Sequence, residues 1–252
     1  MLSLIGLGLN DEKDLTLKGL EVAKKSKKVY IDSYTGYWHG DFRKLEKLVG
    51  KKITPLKRKD LEDDAEKILN EAKKVDIAIF VQGDPLVATT HNTLILEARK
   101  MKVRVQIVHN SSIISAIAET GLHIYKFGPS VTIPFPEKTK GKLPESVYEV
   151  IKMNKARGLH TLCLLDIDIE NKHFMLPPEA VKILLEIEKQ RKENVFTEDT
   201  KVIVVAKLGS DKPVVEYKKV KEILLSNFKV YPAVIVIPGL LHFTEKEFLS
   251  TL

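Results

Sequence analysis

The chain of 252 residues is long enough for one large domain or two small ones. Its 44% hydrophobic content is typical of a globular protein, and no apolar run approaches the roughly 20 residues that a membrane span needs. Cys163 is the single cysteine, so a disulfide within one chain is excluded. No basic segment precedes the first apolar residues, and we therefore predict no signal peptide and a cytoplasmic location.

The net charge of +7 would attract acidic partners. The lysines, however, are dispersed among acidic residues, and the six arginines are far apart in the sequence. We therefore expect no direct binding of nucleic acid. The seven histidines lack the close spacing of common metal sites, and neither a P-loop nor a G-x-S-x-G motif is present. No metal is expected.

In the first part of the chain, apolar runs of strand length alternate with segments of helical periodicity. This alternation predicts a parallel sheet covered by helices. The predicted strands are residues 2–7, 28–32, a short strand near 53, 76–81 and 103–108. The predicted helices are residues 14–26 with Asp14 as N-cap, 42–49, 60–74, 90–101, and one capped by Ser111 or Ser112.

Two of the predicted strands end in glycine-containing turns. Residues 6–11 (GLGLND) lack the third glycine of a dinucleotide fingerprint, and residues 83–85 (GDP) follow a strand buried on both faces. Open α/β sheets bind ligands at the carboxyl ends of their strands. Asp84 could accept a hydrogen bond from such a ligand; the alternative is an ordinary strand-to-helix turn.

Residues 33–40 form a loop with two tyrosines, the only tryptophan and a histidine. Such an aromatic loop suits a surface that faces a substrate or partner, although packing under a lid is an alternative. After Gly121 the pattern changes to a mixture of strands and helices. We place the boundary near 116–121, which predicts an N-terminal parallel α/β domain, 1–116, and a C-terminal mixed α/β domain, 117–252.

In the second part we predict an extended segment at 131–136, strands at 160–166, 200–208 and 233–237, and a hairpin-like segment at 213–217. The predicted helices are 144–156, 177–191, 220–227 and one at the C-terminus.

Several motifs together resemble the tetrapyrrole-methylase superfamily: residues 6–9 (GLGL), 16–19 (TLKG), 83–85 (GDP) and a helix that begins with a serine at 112. Four longer segments resemble the diphthine synthase family within it: 83–91 (GDPLVATTH), 121–128 (GLHIYKFG), 158–162 (GLHTL) and 195–200 (VFTEDT). The resemblance implies two α/β domains with the cofactor in the cleft between them.

The resemblance also implies an activity. Members of the family use S-adenosylmethionine, with S-adenosylhomocysteine as the product. They methylate the amino group of a 3-amino-3-carboxypropyl-histidine on translation elongation factor 2 to give diphthine, a step of diphthamide biosynthesis. A homodimer is implied as well. The alternatives are a methyltransferase acting on a corrinoid precursor and a non-catalytic binding module of the translation apparatus.

Eight cofactor contacts are carried over from the resemblance, each at or near a predicted strand end where backbone N–H and C=O groups are free. They are Leu9, Asp84, Val87, Ser112, Ile113, Leu165, Leu208 and Ala233. The resemblance implies that the last three form an apolar slot for adenine, and core packing is their alternative. Each methyl transfer also needs a base or a water path. Tyr34, His91 and His109 are candidates by location only.

Overall fold

A computed structural model describes residues 1–252 and divides them into two compact units, Met1–Ala116 and Ile117–Leu252. Twelve strands and ten α-helices are present. None of the helices is long and apolar enough to cross a lipid bilayer.

The first unit contains a five-stranded sheet in which every pair of neighbours is parallel. Its strand order is β3-β2-β4-β1-β5. The central strand β4 and its neighbour β1 are buried along their whole length, because helices cover both faces of the sheet. The predicted parallel α/β architecture is therefore confirmed. The strands are β1 (Leu2–Gly6), β2 (Lys28–Asp32), β3 (Ile53–Leu56), β4 (Ile77–Val81) and β5 (Val105–Val108).

Two apolar clusters lie on the two faces of this sheet. Side chains alternate along a strand, so Leu4 packs with Leu69 and Leu94 in one cluster while Ile5 packs with Leu45 in the other. Both clusters draw on the covering helices. These are α1 (Leu17–Lys25), α2 (Phe42–Val49), α3 (Arg58–Leu61), α4 (Ala65–Ala72) and α5 (His91–Lys100). The single turn α6 (Ile113–Ala116) has no buried residue.

Two helix predictions in this unit were wrong in detail. Thr16, not Asp14, caps α1, since its hydroxyl accepts the N–H of Gly19 at 3.0 Å. The Asp14 carboxylate instead accepts the N–H of Asn10 at 2.7 Å. The helix predicted at residues 60–74 is two helices, α3 and α4, with a break at residues 62–64. The Asp60 carboxylate accepts the N–H of Lys57, so that α3 starts upstream of the predicted helix.

The second unit has a mixed five-stranded sheet with the order β11-β10-β12-β7-β6, in which only β6 and β7 run parallel. The predicted mixed architecture is confirmed. Its strands are β6 (Val131–Ile133), β7 (Thr161–Leu165), β10 (Lys201–Ala206), β11 (Val214–Lys219) and β12 (Ala233–Ile237), with a small hairpin, β8 (Ile167–Asp168) and β9 (His173–Phe174), that the sequence did not predict. Its helices are α7 (Glu145–Ala156), α8 (Pro177–Arg191), α9 (Val220–Leu224) and α10 (Phe243–Leu249).

Glu188 on α8 fixes the start of segment 195–200. Its carboxylate accepts the Tyr148 hydroxyl at 2.6 Å and the backbone N–H groups of Asn194, Val195 and Phe196. Burial alone would raise the pKa of Glu188, but these hydrogen bonds lower it to about 2. The carboxylate therefore stays charged at neutral pH, and the backbone of residues 194–196 is hydrogen-bonded to it.

Candidate active site

The carboxyl ends of the parallel strands of the first unit form one edge, where the loops after β1 and β4 are joined. Gly8 and Gly83 exchange two backbone hydrogen bonds, of 3.2 and 2.9 Å. A Cβ atom on Gly6 would stand 2.5 Å from the carbonyl oxygen of Gly83, so only glycine allows the loops to lie this close. Gly83 itself has φ +66°, a left-handed conformation that favours glycine.

Asp84 lies in the loop after β4 and is buried, with 6% exposure. One carboxylate oxygen accepts the N–H of Leu86 at 2.9 Å, which closes the turn. The other accepts the N–H of Asn110 at 3.1 Å and lies 2.8 Å from Nδ1 of His109. Asp84 therefore ties the loop after β4 to the loop after β5. A ligand that donates a hydrogen bond to this carboxylate would do so beside the N–H groups of Leu86 and Asn110 and the ring of His109.

Asn110 is a site residue that the sequence analysis missed. Its side-chain amide donates to the carbonyl oxygens of Gly6 and Asp14, both at 3.0 Å. It thus joins the loop after β5 to the end of β1 and to the turn before α1. The available signal was its position directly after a predicted strand, two residues before Ser112.

Two further predicted residues, Leu9 and Ser112, lie in the loops that Gly6, Asp84 and Asn110 connect. The carbonyl oxygen of Leu9 accepts from the side chain of Gln82 at 3.3 Å, and Oε1 of Gln82 remains buried without a hydrogen-bond partner. Ser112 is buried, and its N–H donates to the Ser115 hydroxyl at 3.3 Å. The expected capping bond therefore runs in the opposite direction, from the Ser112 backbone to the Ser115 side chain.

Val87 follows three residues after Asp84, and its N–H donates to the Asp84 carbonyl oxygen at 3.3 Å. Ile113 is the first residue of α6. The first unit thus brings the five predicted residues Leu9, Asp84, Val87, Ser112 and Ile113 to the ends of the three adjacent strands β4, β1 and β5.

The other three predicted residues belong to the second unit. Ala233 pairs with Ala206 across β12 and β10, and Leu165 ends β7 one residue beyond the pair formed by Leu164 and Val234. Leu208 follows two residues after β10. The side chains of Leu165 and Ala233 are part of the apolar core of this unit. Leu208 is buried as well, so all three residues show the burial that core packing predicts.

The three candidate bases have different surroundings. Burial raises the pKa of Tyr34 to about 12, and its hydroxyl bonds Thr90 at 2.8 Å and Glu62 at 3.0 Å. Because this hydroxyl keeps its proton at neutral pH, Tyr34 is a poor base. His109 is exposed beside Asp84. His91 is buried, and its Nε2 lies 3.4 Å from a carboxylate oxygen of Asp32.

A second buried pair of histidine and carboxylate, His160 and Glu245, lies in the second unit. The Glu245 carboxylate accepts from the backbone N–H groups of His123 and His242, from Nε2 of His160 at 3.0 Å and from the Lys126 ammonium. The N–H of Gly239 donates to Nδ1 of His160 at 2.9 Å. The Glu245 carboxylate on α10 therefore connects segment 121–128 to segment 158–162.

A parallel α/β unit with a ligand-type strand edge, followed by a mixed α/β unit, defines the class of the protein. Residues 1–224 match the family of tetrapyrrole (corrin/porphyrin) methylases, and the chain belongs to this family of S-adenosylmethionine-dependent methyltransferases.

Similar proteins narrow the class further. The chain is 48% identical to the diphthine synthase of Methanocaldococcus jannaschii, over 100% of this chain and 98% of that protein. It is 46% identical to the diphthine synthase of Methanococcus aeolicus over the same shares. The crystal structure of a putative diphthine synthase from Entamoeba histolytica superimposes with a TM-score of 0.90 at 35% identity, covering 100% of this chain and 97% of that one. Within the methylases, the chain is thus a member of the diphthine synthase family.

Proposed function

We propose that the chain transfers methyl groups from S-adenosylmethionine to the amino group of a 3-amino-3-carboxypropyl-histidine on translation elongation factor 2, giving diphthine in the biosynthesis of diphthamide. The similarity to diphthine synthases along the full chain carries this proposal. It does not favour the corrinoid methyltransferase as an alternative.

The strand edge of the first unit fits the cofactor. The buried, unpartnered Oε1 of Gln82 beside Leu9 can accept from a hydroxyl or ammonium group, and the Gly6–Gly83 approach keeps side chains away from the edge. We propose that Leu9, Asp84, Val87, Ser112 and Ile113 contact the cofactor here, and that Leu165, Leu208 and Ala233 form the apolar slot for adenine in the second unit.

S-Adenosylmethionine supplies, when bound, a methyl group already activated by a positively charged sulfur. The protein therefore has to hold the acceptor amine in line and keep water away, and positioning alone can contribute about 7–11 kcal/mol. The acceptor must also lose a proton before each transfer, because only the free amine can attack, and a base or a water path has to take up that proton. The resemblance further leads us to propose a cytoplasmic homodimer.

The experiment that tests the function uses labelled S-adenosylmethionine and elongation factor 2 that carries the aminocarboxypropyl-histidine. We expect label and stepwise methyl-sized mass increases on that histidine. Labelled cofactor that binds without labelling the factor would redirect the proposal to tetrapyrrole acceptors. Binding to the factor that is independent of the cofactor, with no transfer to either acceptor, would support a binding module instead.

A matched pair of variants tests the site. Asp84→Asn should weaken cofactor binding by about tenfold to a hundredfold, because the amide cannot accept all the hydrogen bonds that the carboxylate accepts. Asp64→Asn, at a partly exposed aspartate before α4, is the control and should bind the cofactor like the unaltered protein. Calorimetric titration measures both. Equal affinity in the two variants would contradict the assignment of Asp84.

A further inference from the structure

Asp32 and His91 form a buried pair that the cofactor assignment leaves unused. Asp32 ends β2 and His91 begins α5, and their side chains are 0% and 1% exposed. Nε2 of His91 lies 3.4 Å from Oδ2 of Asp32. Burying a polar ring carries a cost in desolvation, so a buried histidine whose two ring nitrogens both lack a hydrogen bond calls for an explanation.

The Asp32 carboxylate is connected to the aromatic loop at residues 33–40. Its Oδ1 accepts the N–H groups of Tyr34 at 2.8 Å and Thr35 at 3.2 Å, and its Oδ2 accepts the Thr35 hydroxyl. Thr35 is only partly buried. A continuous path therefore leads from the partly exposed Thr35 hydroxyl through Oδ2 of Asp32 to Nε2 of His91.

His91 is suited to receive a proton along this path. Neither of its ring nitrogens makes a hydrogen bond of normal geometry, and the nearby polar groups, the Asp32 carboxylate and the Pro85 carbonyl, are both acceptors. Burial lowers the pKa of His91, and these two acceptors offset only part of that effect. The resting imidazole is therefore neutral at neutral pH, while a proton added at Nε2 would be met by a carboxylate.

Other titratable groups near the pair are already engaged with one another. The Tyr34 hydroxyl bonds Thr90 and Glu62, and Arg58 donates to Glu62 at 2.7 Å. Tyr34 keeps its proton because burial raises its pKa to about 12. Asp32 thus remains the group that faces the imidazole as a partner for a proton.

The position of the pair along the sheet fits the acceptor rather than the cofactor. The proposed cofactor residues of this unit follow β4, β1 and β5, whereas Asp32 ends β2, the next strand beyond β4. An acceptor amine has to lie beside the methyl group that the cofactor donates. The β2 side, with its aromatic loop, is the adjoining part of the same sheet edge.

We propose that Thr35, Asp32 and His91 form a proton relay that accepts the proton released by the acceptor amine before methyl transfer. The inference rests on the proposed function. Before attack, the ammonium form of the acceptor gives a proton to the Thr35 oxygen as the Thr35 proton moves to Asp32, and the proton comes to rest on Nε2 of His91 before release to solvent. The freed lone pair of the nitrogen then forms the new C–N bond, the carbon–sulfur bond breaks, and its electron pair stays on sulfur.

The test compares Thr35→Val and His91→Gln with the unaltered protein in single-turnover methyl transfer to the aminocarboxypropyl-histidine. Thr35→Val removes the hydroxyl but keeps the shape of the side chain. We expect both variants to bind S-adenosylmethionine with unchanged affinity and to transfer methyl about 100-fold more slowly. Added imidazole buffer should restore part of the rate, since it replaces the missing proton acceptor. Thr54→Val, at an exposed threonine on β3, is the matched control and should keep the full rate.

The pH profile separates a relay from a packing role. In the unaltered protein the rate should fall as pH drops through the lowered pKa of His91, because His91 is then already protonated and cannot accept another proton. That limb should vanish in His91→Gln. A variant that is slower at every pH by the same factor, with no response to imidazole, would overturn the relay. So would full rates in both variants. If the unaltered protein itself fails to methylate the acceptor, that result contradicts the proposed function rather than the relay.

A second readout does not depend on activity. The imidazole resonance of His91 can be assigned by its absence in His91→Gln and titrated in the cofactor-free protein. We expect a midpoint below 6.5 that moves lower still in Asp32→Asn, since the carboxylate favours the protonated ring. An unchanged midpoint in Asp32→Asn would contradict the coupling on which the relay depends.

Discussion

Two buried pairs of carboxylate and imidazole, Asp32–His91 in the first unit and Glu245–His160 in the second, differ in how well their histidines are hydrogen-bonded. Both ring nitrogens of His160 have partners at 2.9 and 3.0 Å, and Glu245 accepts from four groups. The ring nitrogens of His91 have no hydrogen bond of normal geometry. Burial lowers the pKa of both histidines.

The difference separates a structural pair from a candidate functional one. The bond from Gly239 fixes the tautomer of His160, so Nε2 carries the hydrogen that it shares with Glu245. A proton cannot be added there without breaking a bond. His91 has no such bond to lose and has a carboxylate ready to stabilise the added proton. The hydrogen-bonded His160 therefore stabilises the fold, whereas the ring of His91 can still take up a proton without breaking a hydrogen bond.

The largest effect should follow removal of the satisfied carboxylate. Glu245→Ala leaves the Lys126 ammonium and two backbone N–H groups without their acceptor, and we expect a loss of about 3–5 kcal/mol in the free energy of unfolding. Urea denaturation measures it. Glu247→Ala, an exposed position on the same helix, is the control and should change the free energy by less than about 0.5 kcal/mol. Similar losses in both variants would contradict a central role for Glu245.

The same carboxylate should make stability fall in acid. Burial alone would raise the pKa of Glu245, but the hydrogen bonds from Lys126, the backbone and His160 lower it to about 2. Because this pKa is below the unfolded value near 4.5, the stabilisation is fully present above pH 4.5 and is lost as pH falls toward 2. Unfolding measured from pH 6 to pH 2 should show a shallower decline in Glu245→Gln. Parallel curves would show that the carboxylate does not contribute.

A smaller effect compares the two histidines directly. His160→Gln should lower the free energy of unfolding by about 2 kcal/mol, because Glu245 and Gly239 lose a partner. His91→Gln should lower it by about 1 kcal/mol or less, because no well-formed hydrogen bond is broken. The order should reverse for methyl transfer, where His160→Gln keeps the rate per folded molecule. A larger loss of stability for His91→Gln would remove the distinction between the pairs.

The smallest expected effect concerns two tyrosine hydroxyls. Tyr34→Phe removes bonds to Thr90 and Glu62 and should cost about 1 kcal/mol. Tyr125→Phe is the matched control in the other unit: its hydroxyl bonds only His123, at 3.1 Å, and its side chain is largely exposed. We expect a change close to zero there. Thermal unfolding of both variants resolves the difference.

Much of the architecture could be predicted from the sequence, because it depends on the periodicity of the hydrophobic residues and on composition. The apolar run at residues 77–81 gave a strand buried on both faces, and residues 177–191 gave a helix with the predicted bounds. The N-cap of α1 was predicted wrongly because both Asp14 and Thr16 can cap a helix. Which of them does so depends on the hydrogen-bond partners close to each side chain in the folded chain. The hairpin at Ile167–Phe174 is too short to show a period.

The sequence by itself determined the two α/β architectures, the glycines at the strand ends and, through the resemblance, the methyltransferase family, because these features depend on residue type and spacing along the chain. Only the tertiary structure decided which histidine is satisfied. His91 and His160 are each one histidine beside an apolar segment in the sequence, and their different surroundings come from residues 59 and 85 positions away. Hydrogen bonding in a core depends on such distant partners, and local sequence does not specify them.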